Sequence, residues 1–180
     1  MNQSNASHFS RIARALHWTM AALIVLMLLL GAGMIAGDPA QYSRYIVWHK
    51  SIGVAIFMLA IVRLLYRLRH PAPALPDDLS ALQRLAAHGS HVALYGLMLA
   101  LPLVGWAMLS AGGYPVALLG GLQLPAILAP HAPTYAALRM LHSVLAWSLF
   151  ALVMLHLAAA LHHGWVRRDG VLATMARWRG

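Results

Sequence analysis

Two histidines on one long apolar run are the residues of this sequence best placed to do chemistry. His142 and His156 stand 14 residues apart in RMLHSVLAWSLFALVMLHLAAALHH, the stretch from Arg139 to His163. At about 3.6 residues per turn, fourteen steps nearly close a whole number of turns, so both imidazoles share a face, about 21 Å apart along the axis. A hydrocarbon core is roughly 30 Å thick, which puts one histidine near each membrane surface. Imidazoles stacked this way suggest two metal centres, one above the other, provided the rest of the chain supplies opposing ligands.

Composition says what must position them. Of 180 residues, 61% are hydrophobic and 9% charged, and the acids are Asp38, Asp77, Asp78 and Asp169. A soluble chain is about one quarter charged. The net charge of +9 comes from basic residues that flank apolar runs. That pattern fits membrane topology and argues against nucleic acid, which calls for a basic patch with interleaved aromatics. The absence of cysteine rules out disulfides, cysteine-ligated iron–sulfur clusters and thioether-attached haem. The histidines are left as the main chemical clue.

Four runs without an acid are long enough to span: about 16–36, 45–65, 87–110 (with a bend expected at Pro102 and Gly105) and 139–163. Lipid forces backbone groups to be satisfied within each segment, hence helices. Four helices with short links pack as a bundle. The expected fold is therefore an all-α integral membrane protein, one four-transmembrane-helix domain over residues 1–180. The first run has some features of a cleaved signal peptide, with Arg11 and Arg14 in front and small residues around Ala32–Ala36. Its apolar stretch is too long for a typical signal and His17–Trp18 stands at its entrance, so we read it as an uncleaved span.

Arg11, Arg14, Arg63, Arg67, Arg69, Arg84, Arg167, Arg168, Arg177 and Arg179 fall on one side, and Arg44, Lys50 and Arg139 on the other. This excess places both termini in the cytoplasm. The proline-rich link HPAPALPDDL (His70 to Leu79) is then a cytoplasmic connector. The link from Ala111 to Leu138, broken by glycine and proline, is expected to lie along the outer surface as a lid.

Depth now pairs the histidines. His17, at the cytoplasmic start of the first span, matches His156. His49, at the outer start of the second, matches His142. Two neutral imidazoles on facing helices, with a macrocycle flat between them, make a bis-histidine b-type haem site. Zinc is the weaker alternative, because each level would lack ligands to complete a tetrahedron. His88 and His91 open the third span, and His91 could compete with His17 for the inner haem. An imidazole near a haem and a lipid-facing opening could hydrogen-bond a quinone carbonyl and relay its protons. His163, two turns below His156, is the candidate for that role and His91 a second, while His162 is read as a headgroup contact. His8, His70 and His131 lie in loops and carry no role.

Arg63 stands 14 residues after His49 and could pair with an inner haem propionate or snorkel to lipid phosphate. Lys50 follows His49 and Arg139 sits one turn before His142. Cations there could anchor the interface, or raise the local concentration of an anionic electron donor. Trp18, Trp48, Trp106, Trp165 and Trp178 lie near span ends as an interfacial belt would. Trp147, mid-span, is expected to pack against a macrocycle or a helix.

The motifs SRIARALHW, WHKSIGVAIFMLAIVRLLYRL, AHGSHVALYGLMLALPLVGW and LHSVLAWSLFALVMLHLAAALHH follow one another over nearly the full length. In order and spacing they resemble the bacterial cytochrome b561 family, four-helix dihaem quinone-linked membrane cytochromes, and within it the member acting as a superoxide oxidase. The resemblance implies His17 with His156 on an inner haem b, and His49 with His142 on an outer haem b. It also implies His163 at a ubiquinone site with Arg11 nearby, and a bacterial inner-membrane location. Electrons would pass from outer to inner haem and on to ubiquinone. The implied donor is superoxide, steered by Lys50, Arg139 and Arg44. The chain departs from the family pattern in its connector, where Arg67, Arg69, Asp77 and Asp78 stand in place of lysines, and in its outer lid. Two other readings are a non-catalytic electron-carrier subunit docking a dehydrogenase or soluble cytochrome through the lid, and a transporter using the histidines. The lack of acids in the spans opposes the second.

Overall fold

The computed structural model describes residues 9–76 and 78–176; His8, Asp77, Arg177, Trp178 and Arg179 lie outside the described residues. Four long helices make up most of it: α1 (Arg11–Ala36), α2 (Pro39–Arg69), α3 (Ala81–Ala111) and α4 (Ala132–Leu161). All four are long and apolar enough to cross a membrane, with windows of mean hydropathy between 1.9 and 2.4. About 20 residues suffice to span. The 31 residues of α2 and α3 therefore carry both helices beyond their predicted spans at each end, whereas α4 starts ahead of its predicted span and gives way to a π-helical turn just before its end.

Local chemistry sets the ends. Ser10 caps α1 by accepting from the Ala13 amide, and Asp38 caps α2 by accepting from the Ala40 amide with Pro39 in the first turn. Ser80 and Gln83 form a reciprocal capping box that starts α3 after the proline-rich connector. The bend expected at Pro102 and Gly105 does not interrupt α3, which stays helical through both.

The link between α3 and α4 is shorter and more ordered than expected. Because α4 already starts at Ala132, the connection is 112–131, and it folds into a hairpin. Strands β1 (Val116–Ala117) and β2 (Gln123–Leu124) pair antiparallel around a 3-10 turn. In that turn Gly120 and Gly121 take φ of 80° and 81°, which glycine adopts without strain. Four hydrogen bonds strap the hairpin to α2 and α3. Leu119 N donates to Ser51 Oγ (2.9 Å), Lys50 Nζ to Pro115 O (3.4 Å), Trp106 Nε1 to Pro125 O (2.8 Å) and Ile127 N to Ser110 Oγ (3.2 Å). Trp106 is thus a strap for the hairpin as well as a residue near a span end.

α1 packs along α2, α2 along α3 and α3 along α4, while α1 and α2 meet α4 only sparsely. The buried core is a stripe of Met20 and Ile24 on α1, Ile52, Ile56 and Ala60 on α2, and Met98 on α3. Leu149 is the one buried residue of α4. Large apolar side chains such as Leu29, Val92 and Leu155 point outward, the reverse of a soluble protein and suited to lipid. Trp147 is one of them: it is 65% exposed and meets Phe150 edge-on, not a macrocycle site or a neighbouring helix. Five residues after His142, at about 100° per residue, it lies some 140° around the helix from the histidine stripe.

Candidate functional site

The helix registers bring the histidines together in two pairs. The rings of His17 (α1) and His156 (α4) have centroids 6.3 Å apart, and those of His49 (α2) and His142 (α4) 6.2 Å. Both pairs bridge helices whose backbones stay apart, leaving room that close-packed α-helices would not. Imidazole–metal bonds are about 2.0–2.1 Å and a ring centroid lies roughly 1.1 Å behind its nitrogen, so two rings on opposite sides of one ion have centroids about 6.3 Å apart. The spacing of both pairs therefore fits two imidazoles that would hold one metal ion between them.

The surroundings fit a haem. His49 Nδ1 is buried without a hydrogen-bond partner among the described residues. His142 faces the Leu101 carbonyl without closing a hydrogen bond of good geometry. Buried nitrogens left this way need a ligand or a partner to explain them. Gly105 of α3 lies against the His142 ring: a Cβ there would sit 3.3 Å from its Cε1 and 3.5 Å from Nδ1. Among the described residues no three His, Asp or Glu side chains converge as a closed zinc site would need.

At the end of the bundle where α1 begins and α4 ends, two further groups crowd the His17–His156 pair. His91 stands 5.4 Å from His156, closer than His17 does, so α3 presents the rival ligand foreseen in the sequence. Arg63 does not snorkel. Its Nη2 lies 3.0 Å from His17 Nδ1, and its guanidinium sits over the Tyr95 ring at 5.7 Å. The Tyr95 hydroxyl beside it is buried and unpartnered among the described residues. A guanidinium and a hydroxyl can each donate to an anionic oxygen.

At the hairpin end, Lys50 is half-buried beside His49 with Nζ on the Pro115 carbonyl, and Arg139 is exposed one turn before His142. The hairpin therefore roofs the His49–His142 pair and is held there through Lys50 and Ser51.

His163 has a setting the sequence did not reveal. α4 gives way to a π-helical turn over His162–Arg167, and Arg168 follows with a left-handed φ of 53°. A non-glycine residue there costs about 1 kcal/mol or more, and π turns gather at functional sites. The short helix α5 (Val171–Ala176) then folds back on α1: Trp18 Nε1 donates to Met175 O and Phe9 N to Thr174 O. Within this fold-back His163 Nδ1 lies 2.6 Å from Asp169 Oδ2, which also accepts from Arg167 Nε at 2.9 Å. Asp169 Oδ1 accepts from Val171 N, and Arg167 Nη2 donates to Asp78. The sequence alone assigns Asp169 and Arg167 no part beside His163. The available signal was an acid six residues after His163 in a chain nearly devoid of acids. His162 and Arg11 are exposed, and the hydrogen-bond partner of His163 is Asp169, not Arg11.

Burial pushes the Asp169 carboxyl up, but hydrogen bonds from His163, Val171 N–H and Arg167 outweigh it and hold the group below its ordinary 3.8. A depressed carboxyl stabilises the fold above its unfolded value, and that contribution is lost as pH falls through the folded one. We therefore expect the α5 fold-back to be intact at neutral pH and to loosen only below about pH 4. Hydrogen exchange of the Val171 and Thr174 amides in detergent should show their protection fall in that range, and in Asp169→Asn already at pH 7.

The chain's likeness to known proteins agrees with this geometry. The family model described as prokaryotic cytochrome b561 matches residues 8–178. Cytochrome b561 homolog 2 of Escherichia coli (strain K12) is 33% identical over 166 residues, covering 91% of this chain and 88% of the relative. Cytochrome b561 homolog 1 of the same organism is 27% identical over 94% of this chain and 97% of the relative. A protein of Yersinia pestis named probable superoxide oxidase CybB is 29% identical over 93% of this chain and 94% of the relative. Four membrane-crossing helices, imidazole pairs spaced to hold a metal ion between them and a match over nearly the whole length lead to one conclusion: the chain belongs to the prokaryotic cytochrome b561 family, multi-pass membrane cytochromes that bind haem b and transfer electrons.

Proposed function

We propose that this protein is a dihaem b-type cytochrome of the bacterial inner membrane, with both termini in the cytoplasm, that oxidises superoxide and reduces ubiquinone. The observation that carries this reading is the pair of imidazole couples at 6.3 and 6.2 Å, near opposite ends of α4. Haem b supplies the one-electron chemistry at each. His49 and His142 would hold one haem under the hairpin, with the Leu101 carbonyl facing His142 as an acceptor for its outer N–H. His17 and His156 would hold the other. His17 Nδ1 accepts from Arg63, since a guanidinium can only donate. With a haem held there, the Arg63 guanidinium would be the group available to meet an anion such as a propionate.

In the overall reaction two superoxide anions lose one electron each to become oxygen, and one quinone takes up two electrons and two protons. No acid is needed on the donor side, because superoxide releases an electron without a proton. Lys50 and Arg139 offer positive charge beside the hairpin-end pair and would draw the anion in. His163, with Arg11 and His91 on the same end of the bundle, would serve the quinone side. The relative named probable superoxide oxidase supports this choice of donor.

The test is stopped-flow mixing of the oxidised holoprotein with enzymatically generated superoxide and ubiquinone, following haem absorbance and quinol. We expect fast haem reduction and one quinol per two superoxide anions. Lys50→Gln with Arg139→Gln should slow the reduction about tenfold at low ionic strength, and the difference should shrink in about 0.5 M salt. Reduction no faster than that of free haem would rule out the superoxide reaction. It would favour the electron-carrier subunit, to be checked by co-purification of a partner.

A further inference from the structure

The quinone reading places His163 at the reaction but leaves open which ring nitrogen works and what holds it. The fold-back answers both. Asp169 is engaged by three donors: its Oδ2 by His163 Nδ1 at 2.6 Å and Arg167 Nε at 2.9 Å, its Oδ1 by Val171 N at 3.2 Å. A carboxylate so held is fixed in orientation and has only acceptor atoms. Its bond to His163 therefore puts a proton on Nδ1, and in the neutral ring the lone pair is on Nε2. The carboxyl's displacement below its ordinary value, set by these donors against burial, agrees with an ionised acceptor.

We propose that Asp169 is the positioning residue of the quinone site: through Nδ1 it fixes the His163 ring so that Nε2 is the atom that meets a quinone carbonyl and passes it a proton. The assignment rests on the quinone reading above. Reduction of the quinone consumes two electrons, delivered from the haems, and two protons from water. When His163 carries both ring protons, Nε2–H donates to the carbonyl oxygen, the proton crosses as the oxygen gains charge, and Nε2 takes another from solvent. Nδ1–H stays on Asp169 throughout, so the ring keeps its orientation and its positive form keeps an adjacent counter-charge.

The π-helical turn makes this contact possible, because it leads into the left-handed Arg168 and brings Asp169 back over a residue only six positions earlier. Gly164 packs against the Leu172 side chain of α5, whose tip would have to shift to admit a Cβ there. The charged or titratable groups facing the pair are Arg167, Asp78 beyond it and His162, whose ring centroid is 6.1 Å from that of His163. α5 itself, VLATMA, contributes none. Asp78 is 70% exposed and Asp169 14%, so the chain Asp78–Arg167–Asp169 runs from solvent to the histidine and neutralises Arg167 on both sides.

The test uses the full-length holoprotein, reduced beforehand, and ubiquinone-1 as the oxidant, with haem reoxidation followed at saturating and limiting quinone. Asp169→Asn is expected to lower the saturating rate tenfold to a hundredfold, the usual range for a residue that orients another, while the ubiquinone-1 concentration for half-saturation stays within about twofold. Asp169→Glu should recover part of the rate. Asp169→Asn on top of His163→Asn should cost nothing further. A wild-type rate in Asp169→Asn, or a loss confined to half-saturation, overturns the positioning role while the slow His163→Asn still supports the quinone site. A wild-type rate in His163→Asn overturns the quinone reading, and this proposal with it. Should Asp169→Asn fail to assemble with haem, 15N-histidine spectra of the wild-type protein decide. A neutral His163 ring protonated at Nδ1 supports the assignment, and one protonated at Nε2 overturns it.

Discussion

Replacing His142 with alanine is expected to remove one haem and leave the other, and replacing His156 to do the same for the opposite site. Each variant should contain about half the wild-type pigment per protein, and the double variant essentially none. The expectation follows from geometry: each of these α4 histidines has its opposing ring at 6.2 or 6.3 Å on another helix, and a haem with one axial imidazole left is far more easily lost. Haemochrome quantification with protein determination reads the result. His17→Ala and His49→Ala should reproduce the halves one at a time. His91 adds a discriminating case, because it stands 5.4 Å from His156. His91→Ala should keep both haems. If it loses one while His17→Ala keeps two, the ligand on that side belongs to α3. Full pigment in both His142→Ala and His156→Ala would sink the ligand assignment.

A single large side chain at Gly105 is expected to empty the hairpin-end site alone. The His142 ring lies where a Cβ at Gly105 would already stand 3.3 Å away, a distance at which the neighbour must give. The three further carbons of leucine leave no such option, and the ring must leave its line with His49. Gly105→Leu should therefore lose about half the pigment, while the His17–His156 haem, on the far side of the core stripe, keeps its spectrum and midpoint potential. That second haem serves as an internal control for folding. Redox titration of the visible band separates the outcomes. Two haems with unchanged potentials in Gly105→Leu would show that the His142 ring has no fixed place against α3.

Much of this was readable in one dimension because lipid simplifies the problem. Apolar runs without acids must be helices, and a fourteen-residue spacing on a helix is a fixed rotation and a fixed rise. His142 and His156 were thus placed before any fold was known, and His17 and His49 followed from their positions in their own spans. The family motifs named the same residues. Trp147 was misread because its depth was legible but its facing was not: mid-span position says nothing about which side of α4 meets the core, and the histidine stripe had already claimed the inward face.

The amino-acid order by itself determined the four helices, the apolar character of the bundle and the shared face of His142 and His156, all set by periodicities within a single element. The tertiary structure alone decided the rest. It turned Arg63 inward onto His17 and Tyr95, laid Gly105 against the His142 ring, and strapped the 112–131 hairpin onto Lys50 and Ser51. It also closed Asp169 onto His163. Each of these joins residues through a turn or a helix–helix approach whose geometry depends on packing and capping, not on hydrophobic period. The π-helical turn at His162–Arg167 is the clearest case, since its one extra residue per turn leaves no mark in composition yet decides that an acid six residues along meets the histidine.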